Sequence, residues 1–216
     1  MTVDQRPTSS PDHSAVLHQA AAAFQSKVSE RPTAEAVAEA LVQAEKVAKQ
    51  ERLTYPFEPL WGNWRLCFAT GTRKVRRGGI VLGKGFYVPK LAVAQLSFSA
   101  EAGTDPILGR GAIGNQVEVG PVLLRFTGPA HYLGKKNLLA FDFTRLHIGV
   151  LGKTVYSGAV PGRKTSNDFY RQTVSTLPFF AFFLVTPDCL AARGRGGGLA
   201  LWVRVHYTVC KLKGQS

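Results

Sequence analysis

Leu60-Trp61-Gly62-Asn63-Trp64-Arg65-Leu66-Cys67-Phe68-Ala69-Thr70 joins a G-x-W turn to strict alternation of side chains. Trp64, Leu66 and Phe68 fall on one face and Arg65, Cys67 and Ala69 on the other, the period-2 pattern of a half-buried strand. An amphipathic helix precedes the stretch, so it predicts the first strand of a small antiparallel barrel. Closing eight or so strands leaves an interior that is either filled by side chains or wide enough for one small apolar ligand. The fold class expected is mainly β, a lipocalin-like antiparallel barrel preceded by N-terminal helices.

Downstream, residues 64–70, 79–83, 91–99, 112–119, 122–127, 138–148, 153–157, 179–186, 190–193 and 199–209 read as strands separated by glycine-rich and basic turns. Gly134-Lys135-Lys136-Asn137 and Gly194-Arg195-Gly196-Gly197-Gly198 read as turns, because glycine and asparagine tolerate the positive φ of tight connections. The second of these is not expected to be a phosphate loop, since Leu199-Ala200-Leu201-Trp202-Val203 continues as a strand where a dinucleotide site needs a helix.

Upstream, residues 1–13 have the composition of a disordered segment. A short helix is expected over 14–28, with Ser14 as N-cap and Leu17, Ala21, Phe24 and Val28 near one face. A second helix is expected over 33–52, with Thr33 as N-cap and Val37, Leu41, Ala44 and Ala48 as its apolar stripe. The chain thus divides into a disordered N-terminus with a short helix (1–32), a helix packing on the barrel (33–56) and the barrel itself (57–213).

Composition narrows the function. At 216 residues and 45% hydrophobic, the chain suits one globular domain with an N-terminal appendage. No apolar run reaches the roughly 18 residues that suggest a membrane-spanning helix, and the start of the chain shows no secretory signal. Cys67, Cys189 and Cys210 are scattered and odd in number, which fits a reducing compartment. No spacing of Cys and His suggests a metal site, and no cofactor is expected. Residues 51–216 carry 22 Lys and Arg against eight Asp and Glu, so the basic surface belongs to the barrel. Such a surface serves an anionic leaflet, an acidic protein or nucleic acid.

The segments Gly62-Asn63-Trp64-Arg65-Leu66-Cys67-Phe68-Ala69-Thr70 and Leu190-Ala191-Ala192-Arg193-Gly194-Arg195-Gly196-Gly197-Gly198-Leu199-Ala200-Leu201-Trp202 resemble the two ends of the plastid lipid-associated protein (fibrillin) domain. That domain opens on a G-x-W-R-L-L-aromatic-T strand and closes on an R-x-x-R-G-x-x-G-x-aromatic-V hairpin. The resemblance covers roughly residues 35–210, although the stretch 163–177 has no counterpart. It implies a lipocalin-like barrel that binds an apolar isoprenoid or lipid (quinone, carotenoid or glycerolipid), with no known chemistry. It also implies association with photosynthetic membranes. Without a plastid transit peptide, the chain is similar to a cyanobacterial member, cytoplasmic and peripheral to the thylakoid membrane.

Candidate ligand-binding residues are Trp64, Leu66, Phe68, Phe141, Phe143, Arg145, His147 and Arg204. In a lipocalin-like barrel Arg204 would cover Trp64 and seal the floor through a cation–π contact. In Leu138-Leu139-Ala140-Phe141-Asp142-Phe143-Thr144-Arg145-Leu146-His147-Ile148, unbroken alternation would carry Arg145 and His147 inward with Leu139, Phe141 and Phe143, where they could hold a polar head group. A bulge near Thr144 would instead turn Leu146 and Ile148 inward and leave Arg145 in water. Leu177 to Val185 is apolar on both faces; it is either covered outside by the helices or presents phenylalanines to lipid or a partner. Arg73, Lys74, Arg76, Arg77 and Lys84, with Phe86 and Tyr87, form a candidate membrane surface.

No nucleophile elbow, paired-carboxylate motif or metal cluster is visible, and no enzymatic activity is expected. Two other readings are a bilin chromophore lyase on a similar barrel, with the basic residues holding propionates, and a basic nucleic-acid-binding protein. Nucleic acid is the less expected partner, because charge is present without a recognised module.

Overall fold

The computed structural model describes residues 12–26, 30–74, 80–101, 108–161 and 169–205, with side chains given for all of these except residues 72–74 and 80–82. Residues 1–11, Val28, Arg76, Arg77 and Cys210 lie outside this set, as do the side chains of Arg73 and Lys74.

Helix α1 (His13–Gln25) begins one residue earlier than its sequence suggests, because Asp12 and not Ser14 is the cap: its carboxylate accepts from the Ser14 amide at 3.0 Å. Helix α2 (Ala34–Gln50) starts on Thr33, whose hydroxyl accepts from the Ala36 amide. An oxygen-bearing side chain at this position satisfies a backbone N–H that the helix itself leaves open.

Eleven strands follow among the described residues: β1 (Gly62–Lys74), β2 (Ile80–Tyr87), β3 (Ala92–Ala100), β4 (Arg110–Val119), β5 (Val122–Leu133), β6 (Leu138–Phe141), β7 (Arg145–Val150), β8 (Lys153–Ala159), β9 (Phe179–Val185), β10 (Cys189–Gly194) and β11 (Leu199–Arg204). Every pairing is antiparallel. Eight of them close a ring in the order β1-β3-β4-β5-β6-β9-β10-β11 and back to β1. Strands β2 and β3 lie end to end along one edge of β1, and β6 and β7 do the same along β5. Because β7 pairs on β5 beyond the ring, and β8 pairs on β7, the sheet rises past one end of the barrel as an open wall.

Two bulges decide which side chains enter the barrel. Leu66 pairs with Trp202 and Phe68 with Leu201, so Cys67 is an extra residue on β1. An inserted residue reverses the alternation beyond it. Trp64 and Leu66 therefore belong to the interior cluster, whereas Cys67 and Phe68 pack outside against the helices. This corrects the expectation that Phe68 shares a face with Trp64. Gly85 is required opposite, since a Cβ there would stand 2.0 Å from the Phe68 ring.

The second bulge lies between β6 and β7. Ala130 pairs with Phe141 and Thr127 with Arg145, so Asp142, Phe143 and Thr144 oppose only Pro129 and Gly128. The Asp142 carbonyl leans so close to Gly128 that a Cβ would sit 1.9 Å from its oxygen. What reads as one strand over 138–148 is two strands, with Leu139 and Phe141 inside on β6 and Leu146 and Ile148 on the matching face of β7.

The outer face of β1, β9, β10 and β11 is apolar because α1 and α2 cover it. Leu17, Val37, Leu41 and Ala44 meet Cys67, Phe68, Phe183, Ala191, Leu201 and Val203 in one buried cluster. Strand β9 is thus buried on both sides, with Phe182 inside and Phe183 under the helices. The stretch 163–177 also has a packing role in its described part. Its described part forms two short 3-10 turns, Phe169–Arg171 and Val174–Thr176, and sets Phe169 and Leu177 on Ala140 at the outside of β6.

Candidate functional site: the floor, plug and mouth of the barrel

One end of the barrel is a floor. The guanidinium of Arg204 lies 4.0 Å from the centre of the Trp64 ring. It also donates to the carbonyls of Trp61 (2.9 Å), Pro59 (2.8 Å) and Pro187, tying the entry of β1 to the end of the last strand. The Trp64 indole N–H donates to the Leu60 carbonyl at 2.7 Å, and Trp64 is fully buried. Both residues fall at the floor, at the end opposite the wall. Desolvation lowers the pKa of Arg204, partly opposed by Asp188.

Sequence reading missed the anchor beside this floor. Asn137 takes the left-handed conformation at φ 49°, its side-chain oxygen accepts from the Tyr55 amide at 2.9 Å, and its amide donates to the Leu53 carbonyl at 2.7 Å. Tyr132 donates to the Tyr55 carbonyl. The Gly-Lys-Lys-Asn turn was legible, but not that its asparagine holds the segment between α2 and β1.

Above the floor the interior is bridged by side chains. Phe98 on β3 and Phe182 on β9, strands opposite one another in the ring, meet edge to face at 6.1 Å. Phe180 contacts Trp202 at 5.5 Å and stacks on Phe141 at 5.1 Å. With Ile113, Leu139 and Leu190 these rings form a plug. Of the two interiors that a barrel of this size allows, side chains fill the middle of this one.

Beyond the plug the lumen-facing surface opens. Leu66, Phe143, Phe180 and Ala200 are only partly buried. Ala69 pairs with both Ala200 and Phe86, and cross-strand partners share a face, so exposed Phe86 belongs to this mouth. Opposite stands the wall, whose inner face carries Ala94, Val117, Leu124 and Ile148 in one cross-strand row. A second row holds Phe126 and Leu146, and Phe126 touches Phe143 at 5.7 Å. All of these are half-buried.

The polar candidates lie elsewhere. Arg145 pairs with Thr127 and His147 with Arg125, which places both on the outer face of the wall, Arg145 exposed and His147 half-buried. The bulge at Asp142–Thr144 is the reason, so neither reaches the lumen. Tyr87 is also corrected. Its hydroxyl donates to the Pro32 carbonyl, Arg31 lies 4.3 Å from its ring centre, and it meets Phe68 edge to face, so it is a helix anchor. Burial, with Cys67 nearby, pushes its hydroxyl up to about 12. Lys84 is exposed beside an open groove of about 900 Å³ between the helices and β2, rimmed by Asp12, Glu35 and Glu39. Carboxylates at that rim suit a cation better than an anionic head group.

Chemistry is sparse. Among the described residues no cluster of three or more His, Cys, Asp or Glu is placed to hold a metal ion. Burial pushes the Cys67 thiol up to about 12 and raises that of Cys189, which disfavours the reactive thiolate. No described helix is long and apolar enough to cross a membrane.

Floor, plug and mouth define a closed eight-stranded antiparallel barrel under two N-terminal helices, mainly β and lipocalin-like in plan. No family model matches the chain, and no curated protein matches it. Among solved structures it is similar to a redesigned β-barrel at a TM-score of 0.33 and 10% identity, over 71% of this chain and 98% of that one. It is also similar to a protein of unknown function from the DUF3598 family of Nostoc punctiforme. That match has a TM-score of 0.28 and 16% identity, over 70% of this chain and 50% of that one.

Proposed function

We propose that the chain is a membrane-peripheral binding protein for an apolar isoprenoid or lipid (quinone, carotenoid or glycerolipid), of the plastid lipid-associated type that accompanies photosynthetic membranes. One observation carries the reading: the apolar lumen face continues above the plug onto the half-buried wall of Ala94, Val117, Leu124 and Ile148, with Leu66, Phe143 and exposed Phe86 across from it. Leaving that much apolar surface in water is unfavourable by about 25 cal/mol per Å² unless something covers it. A flat ring or prenyl chain laid between wall and plug removes it from water. In this reading the ligand lies at the mouth, since side chains fill the middle of the lumen, and recognition rests on shape and apolar area, since Arg145 and His147 point outward.

The test is native mass spectrometry of the protein purified from its own source, with extraction of what co-purifies, followed by titration with decylubiquinone read by tryptophan quenching. A lipid or isoprenoid near one-to-one supports the reading. A covalently attached bilin, or neither a co-purifying molecule nor saturable quenching, overturns it.

A further inference from the structure

Three turns of the wall end side by side. Ala92 pairs with Val119, Val119 with Val122, Val122 with Val150, and Val150 with Lys153, so the turns at Pro89–Leu91, Gly120–Pro121 and Leu151–Gly152 share one edge. Turns normally carry small polar residues. Here Leu91 is 91% exposed, Leu151 78% and Val119 57%.

Leu151 is the sharpest departure. It holds φ 51° and Gly152 φ 75°, the two positive values of a tight hairpin turn, where asparagine followed by glycine is the favoured pair. A branched side chain in the left-handed region is strained, and burial within the protein does not compensate it. Lys90 and Lys153 flank the leucines, with Glu118 the nearby carboxylate. Exposed leucines between lysines match the boundary between anionic head groups and acyl chains.

We infer that this edge of three turns is the membrane-docking element, with Leu91, Val119 and Leu151 dipping into an anionic bilayer while Lys90 and Lys153 meet its head groups. The inference rests on the proposed function and deepens it, because the mouth then faces the bilayer and an apolar ligand passes between them without crossing water.

Flotation with phosphatidylcholine vesicles, with and without phosphatidylglycerol, tests it. The wild-type protein floats with the anionic vesicles. L91Q/L151N binds them at least about tenfold more weakly, since each leucine withdrawn from the interface forfeits on that order. L151N also supplies the residue the turn prefers, so folding is preserved and a melting curve verifies it. As an independent readout, the tryptophan of L151W shifts to shorter wavelength on binding and is quenched by brominated lipid. Equal binding of the double variant, no spectral shift in L151W, or no flotation of the wild type overturns the docking edge. Decylubiquinone titration of the same variants keeps the two proposals apart, because quinone binding survives loss of the docking edge if only the latter is wrong.

Discussion

Arg193 holds Glu45 across the seam between helix α2 and the last hairpin. Its Nε donates to Glu45 Oε1 at 2.8 Å, one terminal nitrogen donates to Oε2, and the other to the Gly197 carbonyl inside the hairpin turn. Lys49, one turn along the helix, adds a bond to Oε1 at 2.9 Å. The Glu45 side chain is 10% exposed and that of Arg193 29%. A paired fork of this kind is strong when complete, and removing one partner strands the other. Glu45→Ala is expected to lower stability by about 2–3 kcal/mol, the lower end for a broken buried pair because Arg193 retains some water. Glu45→Leu with Arg193→Met loses less than Glu45→Ala alone. Urea unfolding of the set measures this.

The same pair fixes a pH dependence. Burial alone would raise the Glu45 carboxyl, but hydrogen bonds from Arg193 and Lys49 outweigh it and hold the group below the usual 4.5. A group depressed on folding stabilises the native state above its unfolded value, and that contribution disappears as pH falls through the folded value. Wild type should therefore lose stability more steeply than Glu45→Gln below about pH 4.5, and the two curves should run parallel above it. Urea midpoints across the acid range give the slopes.

Arg204 serves Trp64 and three carbonyls at once, which needs a planar guanidinium. Arg204→Lys is expected to lose about 1–3 kcal/mol and to recover little over Arg204→Met, because a single ammonium cannot reproduce the fork and the stacked face together. Thermal unfolding compares them, and release of Trp64 into water would show as red-shifted emission.

Under the proposed function, Phe68 and Leu66 separate stability from binding. Phe68→Ala is expected to cost about 3–5 kcal/mol, since the ring is fully buried between β1 and the helices, while decylubiquinone affinity stays near wild type. Leu66→Asn, at the half-buried mouth, should weaken quinone binding more than it weakens the fold. Denaturation and fluorescence titration on both variants decide it.

Cys67 and Cys189 are buried, and the Cys67 thiol donates to the Ala20 carbonyl on α1 at 3.7 Å. A thiol near pKa 12 carries on the order of a thousandfold less thiolate than a free cysteine at neutral pH. In a Cys210→Ser background, an aromatic disulfide reagent should label neither cysteine until urea unfolds the protein.

The alternation of 64–66 and the doubly apolar Phe179–Val185 announced a strand on the lumen and a strand beneath helices, because period and composition report local burial. The Gly194–Gly198 turn was legible for the same reason, as glycine marks positive φ, here 88° at Gly197. The face of Phe68 was not, and for Arg145 and His147 the sequence left two faces open, of which the structure has the one set by a bulge near Thr144. A bulge depends on the partner strand's register, and Cys67 bears no local mark of being the extra residue. The Glu45–Arg193 pair escaped because its members lie 148 positions apart, and Arg193 looked like part of a turn. The mouth was invisible for a related reason: its wall exists only because β7 and β8 pair beyond the ring.

Strand β11 closes the ring against β1, so the first and last strands of the barrel are neighbours. During synthesis no intermediate chain can shut the cylinder before the ribosome has released residue 204, and until then the edge of β1 stands unpaired. Helices α1 and α2 have already been made by that time, and their apolar stripes match the outer face of β1 at Cys67 and Phe68. Their position ahead of the strands means that the apolar cover for that face is synthesised before the seam can close.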